Sequence, residues 1–148
     1  MLSQTAEYAL RAVVLLAERA DGGSARVGEL ADALGIPQNY LSKTLHLLVR
    51  AGVLASTRGK GGGFRLARPA EEIALLDVVD PFDRMGHRPV CLMGQGECSE
   101  AHACAAHASW KEVSARVQAF FQQTTVGDLA RSRKPAPKRT ARARAKVG

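Results

Sequence analysis

A chain of 148 residues, 46% apolar and 24% charged, is sized for one folded domain with at most an appendage. Its net charge of +7 is local: Arg131 to Gly148 holds eight Lys or Arg and no acid, leaving thirteen basic against fourteen acidic residues before it. That excludes an evenly basic surface, and a tail over 131–148 built from Arg, Lys, Pro and Ala cannot bury apolar area; it is expected to be disordered, either solubilising or touching phosphates loosely.

The opening MLSQTAEYALRAVVLLAERA is neither signal nor span. Glu7 and Arg11 interrupt it, no small-residue cleavage site follows, and its apolar run is far short of the roughly eighteen residues a span requires. A cytoplasmic protein without membrane association is expected. In that reducing compartment three clustered cysteines point to a metal or redox site rather than a disulfide framework. Residues 3–20 predict a well-buried helix, with Glu7 and Arg11 paired four apart. DGGS at 21–24 breaks it. Val27, Leu30, Ala31 and Leu34 mark a short second helix, which Gly35 terminates.

IPQNYLSKTLHLLVRAGVL follows, with Pro37 suited to a first helical turn. Leu41, Leu45 and Leu48 form a buried stripe, while Gln38, Asn39, Ser42, Lys43 and His46 share the outer face. Tyr40 is expected in the core. Two short helices joined by a tight turn, the second with a hydrogen-bonding outer face, make a helix-turn-helix pattern. Gln and Asn suit adenine edges and Lys suits guanine, so these five are the candidate base contacts. In LASTRGKGGGFRLARP, 54–58 and 64–67 can pair as short strands around a glycine-rich tip. Arg58, Lys60, Gly61 and Arg65 on that hairpin would then hold the phosphate backbone or minor groove, as a wing does. Nucleotide binding is excluded: the glycines lie between two strand-like segments, without a P-loop's Gly-Lys-Ser/Thr or a strand-to-helix fingerprint.

Residues 71–80 predict another short helix, with Ile73, Leu76 and Val79 inward and Pro81 as its stop. The stretch 82–103 has no period. From Ala105 or Ala106 helical spacing returns, with Trp110, Val113, Val117, Phe120 and Phe121 as an apolar stripe. A stripe of about four turns exceeds what a small winged core needs, so a dimerisation helix is expected; the alternative is a helix folded back on its own domain. Thr125–Leu129 adds a last turn. No paired carboxylates or nucleophile–base arrangement stands out, so an enzyme and a small-molecule substrate are not expected. The fold class is mainly α with a small β-hairpin wing. Its expected parts are a winged helix-turn-helix unit over 1–80, a loop over 81–104, the dimer helix with its final turn over 105–130, and the tail.

The loop CLMGQGECSEAHACAAHASW, Cys91 to Trp110, contains all three cysteines and two of the four histidines. Cys91, Cys98, Cys104 and His107 are too widely spaced for a zinc ribbon or finger. Three thiolates and a nitrogen satisfy zinc or an iron–sulfur cluster by ligand type, and the open glycine-containing gaps suit something larger than one ion. His102 and His87 are lesser candidates.

Four stretches together, AEYALRAVVLLA, LADALGIPQNYLSKTLHLLVRAGVLASTRGKGGGFRLARP, the cysteine loop and AHASWKEVSARVQAFFQQTTVGDL, resemble the winged-helix iron–sulfur transcriptional regulators, the family of IscR-, NsrR- and RirA-like repressors. The likeness runs from Met1 to about Ala130. It implies a homodimer with crossing long helices, each protomer reading double-stranded operator DNA through recognition helix and wing, with a cluster near the dimer helices. The cysteine ligands fall on Cys91, Cys98 and Cys104. A [2Fe-2S] cluster would take His107 as fourth ligand. A [4Fe-4S] cluster, as in nitric oxide sensors, would take an acidic residue of the partner's first helix, a position held here by Glu7 where Asp is usual. The spacing from Cys98 to His107 matches the [2Fe-2S] members, although the Cys91–Cys98 gap is one residue longer. The resemblance therefore favours [2Fe-2S] and leaves [4Fe-4S], or a non-sensing repressor with structural zinc, as alternatives. Iron supply, redox stress or nitric oxide are the inputs it implies.

Overall fold

The computed structural model describes residues 1–19, 22–87, 89–94 and 96–132. The expected tail lies outside them from residue 133 onward. Helix α1 (Gln4–Ala17) begins at Ser3, whose hydroxyl accepts the Ala6 N–H at 3.2 Å, satisfying one of the donors a helix start leaves unpaired. Ala6, Ala9, Ala12, Val13, Val14 and Leu16 are all buried, so small residues let neighbours close on α1 from several sides. Helices α4 (Leu75–Asp83) and α6 (Val126–Ser132) pack on it, as do α2 (Val27–Leu34), α3 (Gln38–Arg50) and the strand Gly63–Leu66. The expected Glu7–Arg11 pair does not form; Arg11 instead donates to the Leu34 carbonyl at 3.1 Å, capping the end of α2, where unpaired carbonyls carry partial negative charge.

α2 (Val27–Leu34) ends at Gly35 in the left-handed conformation. α3 (Gln38–Arg50) follows, with Pro37 just ahead of its first turn and Leu41, Leu45 and Leu48 completely buried. β1 (Leu54–Thr57) and β2 (Gly63–Leu66) form an antiparallel hairpin with Leu54 opposite Leu66 and Thr57 opposite Gly63. Ala25 adds one antiparallel bridge to Phe64, which ties the hairpin to the chain entering α2.

The helix expected over 71–80 is shifted. Residues Ala70–Glu72 form a single 3-10 turn, Ile73 is extended, and α4 spans Leu75–Asp83. The late start has a tertiary cause: Leu75 N–H donates to Thr124 O at 2.9 Å and Val126 N–H to Ile73 O at 2.8 Å, a long-range pairing that outweighs helical propensity. Pro81 does not stop the helix but sits inside it. Its side chain is exposed, and only two residues follow before Arg84 closes the end at φ 51°, so little ladder is lost.

α5 (His107–Gln123) and α6 (Val126–Ser132) complete the chain. α6 thus takes in Arg131 and Ser132, the first two residues assigned to the tail. It opens with a reciprocal cap: Thr125 N–H donates to Asp128 Oδ2 at 2.9 Å and Asp128 N–H to Thr125 Oγ1 at 3.1 Å. The architecture is mainly α with a two-stranded wing, as expected. Among the described residues no helix is long and apolar enough to cross a membrane.

Candidate nucleic-acid interface and cysteine loop

Burial of the Leu41–Leu45–Leu48 stripe turns the opposite face of α3 outward. Gln38, Asn39, Lys43 and His46 are exposed and Ser42 half-buried. Arg58, Lys60, Gly61 and Arg65 are exposed on the wing, and Lys43, Arg58 and Lys60 form no ion pair among the described residues. Helix and wing meet where the His46 ring stands edge-on to Phe64, 5.3 Å between centroids. One continuous surface therefore carries the hydrogen-bonding side chains and three uncommitted cations.

Tyr40 is not in the core: it is 39% exposed, its hydroxyl hydrogen-bonds Thr5 Oγ1, and its ring stands edge-on to Tyr8 at 5.7 Å. Its place at the α3 start, beside α1, explains this. The leucine spacing that defines the buried stripe leaves position 40 off it. The Thr5–Tyr8–Tyr40 cluster had no sequence signal, because residues 35 apart are joined only by the packing of α1 on α3.

The cysteine loop folds as a hairpin followed by a turn. Cys91 N–H donates to Gly96 O at 2.7 Å, Cys98 N–H to Pro89 O at 2.9 Å, and Gly94 N–H to Cys91 O at 2.9 Å. Cys91 and Cys98 are half-buried and Cys104 exposed. His107, first residue of α5, is only 8% exposed, with its Nδ1 3.1 Å from Cys98 Sγ. Its buried Nε2 has Glu100 Oε2 at 3.2 Å, off the line of a hydrogen bond, and no other partner. Lys111 Nζ holds the second Glu100 oxygen at 2.5 Å. Pro89, Cys98, Ser99, Glu100, His107 and Lys111 line a cavity of about 460 Å³.

Burial raises the Cys98 thiol pKa, with Cys91, Cys104 and Glu100 adding to it against Lys111. The hydrogen bond from Lys111, with the His107 imidazole close by, lowers that of Glu100, and Glu100 in turn raises that of Lys111. Three thiols and an imidazole are a donor set that fits an iron–sulfur cluster, with the imidazole Nδ1 already beside Cys98 Sγ. Among the described residues, however, no three His, Cys, Asp or Glu side chains converge tightly enough for one metal ion. Cys98 and His107 are already together; Cys91 and Cys104 would have to be drawn in. Glu7 is exposed on α1, and His87 and His102 are exposed without a metal-like cluster. Glu100 and Lys111 escaped sequence reasoning, although Lys111 lies one helical turn after His107, a spacing that puts both on one face.

On α5 only His107 and Phe121 are buried. Val113 and Phe120 are 51% and 54% exposed, Val117 is partly buried, and Trp110 is tied to the loop by its Nε1 donating to Val90 O at 3.0 Å. Phe121 belongs to the chain's own core. The uncovered positions of the expected dimer stripe are therefore Val113 and Phe120.

The family model described as "Rrf2: Iron-dependent Transcriptional regulator" matches residues 2–132. The chain belongs to the Rrf2 family. A candidate HTH-type transcriptional regulator of Aquifex aeolicus is 35% identical over 131 residues, 87% of this chain and 90% of that one. The HTH-type transcriptional regulator IscR of Escherichia coli O1:K1 is 29% identical over 128 residues, 86% of this chain and 78% of that one. Among solved structures, CymR, the global cysteine regulator of B. subtilis, superposes with a TM-score of 0.77 at 24% identity, covering 90% of this chain and 98% of that one. The IscR of T. potens gives 0.71 at 21%, covering 88% and 86%. At those identities the structural likeness speaks for the fold alone. As an Rrf2 protein the chain is a DNA-binding transcriptional regulator rather than an enzyme.

Proposed function

We propose that this Rrf2 protein is a repressor whose hold on operator DNA depends on an iron–sulfur cluster, [2Fe-2S], held by Cys91, Cys98, Cys104 and His107. The observation that carries the reading is His107: a buried imidazole at the start of α5 with its Nδ1 3.1 Å from Cys98 Sγ, facing a cavity of about 460 Å³. Thiolate-ligated iron, when bound, supplies a redox-active and easily damaged centre, which suits sensing of iron supply, oxidants or nitric oxide.

The chain's own residues carry the consequence to DNA. The loop over 81–104 joins α4 to α5, so closing Cys91 and Cys104 on Cys98 and His107 alters how α5 leaves the winged unit over 1–80. In a homodimer paired through Val113 and Phe120, with Trp110 and Val117 alongside, that angle fixes the spacing of two recognition helices on successive grooves. Gln38, Asn39, Ser42, Lys43 and His46 read base edges; Arg58, Lys60, Gly61 and Arg65 hold the backbone or minor groove. A second reading keeps the cysteines and takes Glu7 of the partner as fourth ligand for [4Fe-4S]; it is supported by Glu7 being exposed and outside every ion pair among the described residues.

Anaerobic purification with iron and sulfide counts, absorbance and Mössbauer spectra, on wild type, His107→Ala and Glu7→Ala, tests both. Loss of the wild-type spectrum in His107→Ala alone supports the first reading, and in Glu7→Ala alone the second. Wild-type spectra in both variants refute both ligand assignments. A colourless protein with stoichiometric zinc replaces them with a non-sensing repressor.

A further inference from the structure

The two nitrogens of His107 face different chemistry. Nδ1 lies 3.1 Å from Cys98 Sγ, and Nε2 lies 3.2 Å from Glu100 Oε2. A neutral imidazole carries one proton, and its neighbours decide where. With Nε2 bare, its lone pair would confront a carboxylate in a buried setting. With Nε2 protonated, the N–H lies beside that carboxylate at 3.2 Å and the two attract, although the angle is not that of a hydrogen bond. Nδ1 is then an acceptor, and the Cys98 S–H is the donor beside it. One tautomer therefore suits both contacts.

Glu100 is not free to wander. Lys111, one turn along α5 from His107, grips its other oxygen at 2.5 Å, and the short Glu100–His102 turn sets its backbone. Yet Glu100 and Lys111 side chains are 72% and 63% exposed, where an ion pair adds little to folding. Its evident consequence is therefore orientation, not stability.

We propose that Glu100, anchored by Lys111, is a positioning residue that holds His107 as the Nε2–H tautomer and so reserves Nδ1 as the atom presented to the cysteine sulfurs. The proposal rests on the reading of the loop as a cluster site and adds which nitrogen binds and what orients it. Carboxylate partners behind ligating histidines raise metal retention, typically by tenfold to a hundredfold.

The test has two arms, both on the full chain. In the metal-free protein above the histidine titration range, long-range ¹⁵N–¹H spectra, with His107 assigned by comparison with His107→Gln, read the tautomer directly. Wild type is expected to show Nε2–H, and Glu100→Ala a mixture or Nδ1–H. In the second arm, iron and sulfide are reconstituted anaerobically, and visible circular dichroism and the rate of iron loss to a chelator are compared. Glu100→Ala is expected to alter the dichroism and to lose iron roughly tenfold faster or more. Nδ1–H in the wild type, or Glu100→Ala indistinguishable from it in tautomer and iron loss, overturns the proposal while iron uptake leaves the cluster reading standing. A wild type that shows Nε2–H but takes up no iron overturns the cluster reading, and with it this use of the pair.

Discussion

Gly63 is where the wing is fastened to the body, and Gly63→Ala should unfasten it. Its φ of 145° lies in a region side chains seldom adopt, and a Cβ built there would sit 2.4 Å from the Ala25 carbonyl oxygen, where ordinary contact begins at 3.4 Å. The obstacle is backbone, so β2 or the 25–26 segment must retreat by about 1 Å. That distance stretches both hydrogen bonds of the bridge, Ala25 N–H to Phe64 O at 2.9 Å and Phe64 N–H to Ala25 O at 2.8 Å, past useful length. Two such bonds at ~0.5–1.5 kcal/mol each, with backbone strain of order 1–3 kcal/mol, put the loss at roughly 2–4 kcal/mol once relaxation is allowed. Gly61→Ala is the control: φ is 72° but nothing lies within 4 Å, so it should lose only about 1 kcal/mol.

Urea midpoints for the three proteins give the stability order, and amide hydrogen exchange at Ala25 and Phe64 locates the damage. Phe64 is also the residue against which His46 rests, so the detached wing should weaken binding to operator and unrelated duplex alike. Equal destabilisation by the two alanines, or unchanged exchange at Ala25 and Phe64, would refute the reasoning.

Lys60→Ala should weaken binding to all duplexes equally and reduce the slope of log affinity against log salt by about 0.9 if it neutralises one phosphate; an unchanged slope removes it from the backbone contacts. Val113→Asp with Phe120→Glu should convert the homodimer to a monomer in sedimentation velocity and roughly halve that same slope, since one protomer meets about half the phosphates; a dimer of unchanged affinity rules out this face. The Asp128 carboxyl is held below its ordinary value chiefly by the Thr125 N–H, with the Thr125 hydroxyl and Arg131 helping. Its stabilisation is thus complete above the ordinary carboxylate pKa and lost as pH falls through the lower folded value. The urea-midpoint gap between wild type and Asp128→Ala should therefore shrink as pH falls from above the ordinary carboxylate pKa through the lower folded value; a constant gap contradicts the assignment.

What sequence could reveal here followed periodicity. The leucines of α3 and the alanine-rich α1 announced burial through helical spacing, and Gly35 announced a helix end through its freedom at positive φ. The wing was legible because four glycines flanked by cations have few other uses. Misreadings came where distant backbone intervened. Ile73 and Leu75 bond to 124–126, which delays α4, and no local pattern foretells a pairing fifty residues away. Arg11 chose the Leu34 carbonyl over Glu7 for the same kind of reason. At the cysteine loop, residue types disclosed the donor set, but only coordinates separate His107, buried against Cys98, from exposed His102.

A series of contacts leads from the end of α4, where the loop begins, to α3. The loop leaves α4 at Arg84, and the preceding Asp83 accepts the Ser3 N–H at 2.9 Å, the residue that caps α1. One turn into α1, Thr5 and Tyr8 meet Tyr40 on α3, two residues from Gln38 and three from Lys43. Each link is a cap, a hydroxyl hydrogen bond or a ring contact near a helix end, where a small tilt moves the neighbour instead of deforming a packed interior. A chain of contacts is not yet coupling; that takes two arrangements of one element which both ends favour differently. α1 is the element so placed, since Asp83 holds its start from the α4 side and Tyr40 holds it from the α3 side.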